Sequence, residues 1–211
     1  MLVFSDQSLA FLAVPKTGTT AVEMALKPRA DIVFTKQRKH MTAQRFHTRI
    51  APFLRDTFDL VPDRVAVIRD PVDQIRSWYR YRNGPRRAGT ARSTNGCSFN
   101  DFVLAVISKN PPAFAGIGSQ YNMLTSGNLN KEGELLVQHL FAYDHQPLFR
   151  SFLSDRFGKE IVLKQKNVSP DAHAPLDPDI EAQLRKARAR EFALYDQVMQ
   201  AGGHLVSRVE V

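Results

Sequence analysis

Two short stretches carry the residue types that hold phosphate or sulfate groups. The first is Pro15-Lys16-Thr17-Gly18-Thr19-Thr20. It follows an apolar run and precedes a helical pattern. A glycine there lets backbone amides approach a ligand, and a helix N-terminus offers free N–H groups with a positive dipole end. Lys16 adds a point charge and the three threonines add hydroxyl donors. The second stretch is Arg69-Asp70-Pro71 followed by Ser77. Arg69 offers a planar fork of donors that suits phosphate. Ser77 falls about two helical turns on, on the side of Asp70 and Gln74. Each stretch has a plainer reading. Thr20 and Glu23 fit the S/T-x-x-E capping box, and Arg69 can pair with Asp73 while Ser77 merely packs.

Both stretches need a strand that ends and a helix that begins. Residues 8–14 and 64–68 are apolar after their first residues, Ser8 and Arg64, and read as buried strands. Residues 20–27 read as a helix closed by Pro28. Residues 71–82 read as another, with Asp70 at the N-cap and Pro71 in the first turn. Shorter strands are expected over 31–35, 140–143 and 160–163. Helices are expected over 42–55, with Pro52 as a kink, over 99–108, 146–157 and 178–200. The last of these keeps a helical period that only Glu191 interrupts. Strands alternating with helices predict one α/β domain over residues 1–211, with a mainly parallel central sheet flanked by helices in a three-layer, P-loop-like arrangement.

The chain has 211 residues, 43% hydrophobic and 24% charged, which excludes wholesale disorder. Its formal charge is +8, which favours an anionic partner. Cys97 is the sole cysteine, so neither an internal disulfide nor a cysteine-based zinc site can form. No apolar run approaches the ~20 residues of a membrane span. The N-terminal run has no basic residues before it and does not read as a leader. A cytoplasmic protein without membrane contact is expected.

Together the two stretches resemble known nucleotide-binding elements. Pro15-Lys-Thr-Gly-Thr-Thr20 resembles the 5′-phosphosulfate loop of the sulfotransferase superfamily. Arg69-x-Pro-x-x-x-x-x-Ser77-x-Tyr79 resembles that superfamily's 3′-phosphate element. Lys39-His-Met-Thr-Ala43 and Asn167-Val-Ser-Pro170 add to a likeness with bacterial relatives of carbohydrate sulfotransferases. The resemblance implies a P-loop-like α/β fold and 3′-phosphoadenosine 5′-phosphosulfate (PAPS) as sulfuryl donor. It implies that Lys16 meets the bridging oxygen as the S–O bond breaks, that Thr17, Gly18, Thr19 and Thr20 wrap the 5′-phosphate, and that Arg69 and Ser77 hold the 3′-phosphate. Arg76 stands beside the serine rather than mid-helix, so it inherits no role. No metal is required if lysine and amides meet the charge.

The acceptor would be a glycan or small molecule with a hydroxyl that loses a proton, so a general base is needed. The resemblance favours His40, whose plainer reading is a surface histidine in a basic run. Glu23 is a weaker candidate, and His47 reads as structural or exposed. Between Gln74 and Asn100 there is no acidic residue, while Arg76, Arg80, Arg82, Arg86, Arg87 and Arg92 interleave with Trp78, Tyr79 and Tyr81. This loop reads as a lid, an acceptor groove or a solvated basic segment. Two other classes compete with the transferase. A P-loop kinase is disfavoured because Lys16 precedes the only glycine, unlike a Walker A loop, and because Asp70 is explained as a cap rather than a magnesium ligand. A non-enzymatic binder of nucleic acid or another polyanion leaves both phosphate motifs unexplained.

Overall fold

The apolar stretch expected as a single strand over 8–14 is one arm of a hairpin. In the computed structural model, which describes residues 1–164 and 174–210, β1 (Leu2–Phe4) runs antiparallel to β2 (Leu9–Phe11), with Leu2 opposite Phe11. Four residues join them, too few for the crossover that a parallel pair needs. Asp31 fixes the turn by accepting from the Ser5 N–H (2.7 Å) and the Ser5 hydroxyl (2.8 Å). β3 (Ile32–Val33) pairs antiparallel with the other edge of β1. β4 (Asp63–Ile68) and β5 (His139–Ala142) lie parallel to β2, and β6 (His204–Val206) lies antiparallel to β5.

The sheet order is β3-β1-β2-β4-β5-β6. The sheet is mixed, with a parallel centre of β2, β4 and β5 and antiparallel flanks, which corrects the expectation of a mainly parallel sheet. The flanks are strands of two or three residues, too short for a period to be read, and two of them (β1 and β6) have no counterpart among the strands expected from the sequence. The strand expected over 160–163 does not form. Ile161 is buried there without a strand partner, its N–H donating to the Ser154 hydroxyl (2.9 Å). β6 takes the place beside β5 because Gly202 and Gly203, at φ 73° and 90°, turn the chain back from the last helix. A Cβ on Gly203 would also meet the His145 ring at 2.4 Å.

Helices cover both faces of this sheet. On one face α1 (Thr19–Leu26) and α7 (Gln146–Phe157) set Val22, Leu26, Phe149 and Leu153 against Phe4, Phe11, Val65 and Phe141. On the other, Phe46, Leu54, Leu124 and Val198 pack on Ala10, Ala66, Ile68 and Leu140. The alternation of these strand residues between two cores is the period-2 geometry of a strand buried on both sides. The expected helix over 42–55 is α2 (Ala43–Arg45), a π-helical turn (Phe46–Ile50) and α3 (Ala51–Phe58). Pro52 has no N–H for the Thr48 carbonyl, and the widened turn before it absorbs the misfit.

A third apolar cluster joins α4 (Pro71–Asn83), α5 (Phe99–Ile107) and α8 (Pro178–Ala187) through Ile75, Phe102, Val103 and Leu184. The helix expected over 178–200 is broken at Arg188 into α8 and α9 (Ala189–Gln200). Among the described residues no helix is long and apolar enough to cross a membrane.

Candidate functional site

The carboxyl ends of β2, β4 and β5 open into one cavity of about 720 Å³. Ligands of open α/β sheets bind at this edge, and the volume is within the usual ~300–1,000 Å³ of small-molecule sites. The loop after β2 supplies Lys16, Gly18, Thr19 and Thr20, and the turn after β4 supplies Arg69 with Ser77 one helix face further on. His40 reaches the same cavity from the segment after β3.

The first loop is tightly wound. Lys16 and Gly18 both have left-handed backbones, at φ 69° and 76°. A Cβ on Gly18 would lie 3.2 Å from the Tyr143 ring, so glycine avoids both a strained backbone and a close contact there. The Thr17 side chain is buried and turns inward, its hydroxyl donating to the Val14 carbonyl (2.9 Å). That bond holds the loop, and leaves Thr17 only its backbone to offer a ligand. Gly18 is the N-cap of α1, and no side chain caps the helix. The capping box of Thr20 and Glu23 is therefore absent; Glu23 instead pairs with Lys39 at 3.1 Å. The Ala21 N–H donates to the Gly18 carbonyl (3.0 Å), while Gly18, Thr19 and Thr20 border the cavity at the positive end of the helix dipole.

The Lys16 ammonium lies 4.5 Å from the Tyr81 ring centre and 5.6 Å from that of Trp78. Burial, and then the nearby Arg69 charge, pull its pKa down to about 8. Arg69 does not pair with Asp73, which is bonded to Arg76 instead. Its guanidinium stacks on Tyr143 at 4.6 Å, and among the described residues its buried Nε has no hydrogen-bond partner. An unpaired, partly desolvated guanidinium is what an incoming phosphate would satisfy. Asp70 caps α4 as expected, accepting from the Asp73 N–H at 2.9 Å.

The Arg69 backbone is held by a residue that sequence reading left unassigned. Gln120 accepts from the Arg69 N–H (2.9 Å) and donates to its carbonyl (2.8 Å). Glu191 accepts from the Gln120 backbone N–H (3.1 Å) and side chain (3.2 Å), and pairs with Arg188 at 3.2 Å. Glu191 is fully buried, so the one interruption in the period of the last helix marks this network. Replacing Gln120 with leucine strands several of these polar groups, at about 2–4 kcal/mol. Thermal melting of Gln120→Leu should show Tm lower by roughly 5–15 °C. A drop of only a degree or so would mean that Arg69 is positioned by something else.

His40 has its Nδ1 2.7 Å from the Ala13 carbonyl. A carbonyl only accepts, so Nδ1 carries the proton and Nε2 of the neutral ring is an acceptor. Burial lowers the His40 pKa from its ordinary value and keeps the ring neutral near pH 7. His47 is elsewhere, with Nδ1 3.2 Å from the buried Arg64 guanidinium.

The basic loop after α4 forms part of the cavity wall. Arg82 is a structural member of it, donating to the carbonyls of Ala113, Phe114 and Gly116. Tyr79 faces away from the cavity and donates to the Cys97 carbonyl (2.7 Å), while Thr94 ties the loop back to the Tyr79 carbonyl (3.0 Å). Eight of the twenty lining residues are Lys or Arg, and among the described residues none is Asp or Glu. Asn167 and Ser169 lie outside the described residues. Tyr143 also borders the cavity, and its place directly after β5 is the one sequence signal for it.

Comparison with known protein families, with curated proteins and with solved structures gives no match for this chain.

Proposed function

We propose that this cavity binds 3′-phosphoadenosine 5′-phosphosulfate and that the protein transfers its sulfuryl group to a hydroxyl acceptor. The observation that carries the reading is the convergence of two anion-binding groups on one cavity. The uncapped α1 N-terminus with Lys16 suits the 5′-phosphosulfate, and the unpaired Arg69 with Ser77 suits the 3′-phosphate. The parallel centre of the sheet, β2-β4-β5, is the portion that the P-loop-like expectation needs.

In this reading His40 Nε2 takes the proton of the acceptor hydroxyl. The acceptor oxygen bonds to sulfur as the bond from sulfur to the phosphate oxygen breaks, and 3′,5′-adenosine bisphosphate leaves. Lys16 donates to the bridging oxygen that gains the charge. Little covalent work falls to the protein; positioning and charge stabilisation do the rest. Lysine, arginine and backbone amides supply the positive charge, so the reading assigns no step to a metal.

Thermal melting tests the donor site. A ligand at ~100 times its Kd adds about 2.7 kcal/mol, which lifts Tm by roughly 5–10 °C for a chain of this size. The expected result is a shift with 3′,5′-adenosine bisphosphate that ADP does not match and magnesium does not change. A shift only with ATP and magnesium would replace the transferase with a kinase. No shift with any nucleotide would remove the donor site and leave a cationic cavity for another polyanion.

A further inference from the structure

We infer that Tyr81, supported by Trp78, is a positioning residue for Lys16: the two rings form an aromatic seat that holds the ammonium at the cavity. The inference concerns the same site and rests on the transferase reading for its kinetic consequence, although the seat itself does not.

The two rings stand three residues apart on α4, so they are neighbours on one helix face. They meet edge to face, 5.8 Å apart at 74°. Lys16 lies nearer the Tyr81 ring, and Trp78 closes a second side. The seat is fixed from behind. The Arg82 guanidinium lies 5.1 Å over Trp78 while bonded to three main-chain carbonyls. Arg87 lies 5.4 Å over Tyr81 and donates to its hydroxyl at 3.1 Å. Neither ring can turn away without breaking one of these contacts.

The need for such a seat follows from the charges around Lys16. Arg69 repels it from the turn after β4, Arg82 and Arg87 belong to the same wall, and His40 is neutral. Among the described residues no carboxylate pairs with Lys16, whose left-handed backbone sends the side chain into this cationic cavity. A carboxylate would hold the ammonium but would also repel an anionic donor. A ring face attracts the cation through its quadrupole and carries no net charge. Lys16 is thus held without a group that competes against the ligand, and its remaining N–H groups are left for the donor.

Trp78 is the chain's only tryptophan, so its emission reports this seat directly. The test compares the protein as it stands with Tyr81→Leu, Tyr81→Phe and Lys16→Met. Without nucleotide, Trp78 emission should change with pH as Lys16 loses its proton, near pH 8. Lys16→Met should abolish that transition. Leucine keeps an apolar side chain but loses the quadrupole that favours the cation. Tyr81→Leu should therefore move the transition down by about half a pH unit, while Tyr81→Phe leaves it in place. In the transfer assay Tyr81→Leu should lower kcat about tenfold with the donor KM little changed, and phenylalanine should restore it. A transition that survives in Lys16→Met, or Leu and Phe variants that behave alike, would overturn the seat. If the emission results hold but wild-type protein transfers nothing and binds no bisphosphate, the transferase reading fails and the seat stands.

Discussion

Lys16→Ala is expected to lower sulfuryl transfer by about 10²–10³-fold in kcat, the usual loss when one preorganised donor to a developing oxyanion is removed. Lys16 is the cation of the first loop and stands in front of the uncapped α1 N-terminus. Its ammonium is partly desolvated, which strengthens its effect on a charge forming inside the cavity. Melting temperature should barely change, because alanine meets the same left-handed backbone requirement that lysine already meets at φ 69°. Single-turnover measurement with labelled donor reads the loss directly, and near-normal turnover would remove Lys16 from the mechanism.

The same residue shapes the pH profile. Lys16 must be protonated to meet the leaving oxygen, so kcat/KM should fall as pH rises through about 8. His40 must be neutral to accept a proton, so kcat/KM should fall on the acid side, below the ordinary histidine value of 6.5. A bell with these two limbs is expected. A flat profile would exclude both roles.

Arg69→Ala is expected to weaken 3′,5′-adenosine bisphosphate by roughly 10–150-fold, the equivalent of about 1.5–3 kcal/mol for hydrogen bonds to a charged group. Adenosine 5′-phosphosulfate, which lacks the 3′-phosphate, should lose little. The contrast isolates the 3′ site, since damage to the whole cavity would weaken both. The variant should melt close to wild type, because the loss of the Tyr143 stacking is offset by removal of a buried Nε that has no hydrogen-bond partner among the described residues. Loss of the Arg69 charge also removes one of the two causes that depress Lys16, so the alkaline limb should move to higher pH. Calorimetric titration of both nucleotides decides the matter. Equal weakening would take Arg69 out of the 3′ site.

The parts that local pattern controls were legible in the sequence. The span 64–68, apolar from Val65 onward, reads as a doubly buried strand, and it lies within β4. Asp70 before Pro71 had to start a helix, and it caps α4. The expected span 146–157 coincides with α7, whose ends are set by a proline in its first turn and by Gly158 at φ 62°. Lys16, Gly18, Thr19, Thr20 and Arg69 could be singled out because each stands beside a strand end or a helix start, Ser77 by its helical spacing from Asp70, and His40 only through the family resemblance. All of them border one cavity.

Other features had no local signal. The short strands β1 and β6 exist because neighbours complete their ladders, and they make the sheet mixed. Thr17 and Thr19 look alike in sequence, but only the Thr17 hydroxyl folds back to Val14. Glu23 fits a capping box, yet the distant Lys39 takes it instead. Gln120 and Glu191 lie 71 residues apart and meet only when α6 (Gln120–Leu124) and α9 pack together. Sequence alone determined which residues could attract an anion and where strands give way to helices, because charge, glycine freedom and capping are local properties. Tertiary structure decided which of those charges stay unpaired and face one another, because pairing depends on groups that only packing brings within a few ångströms.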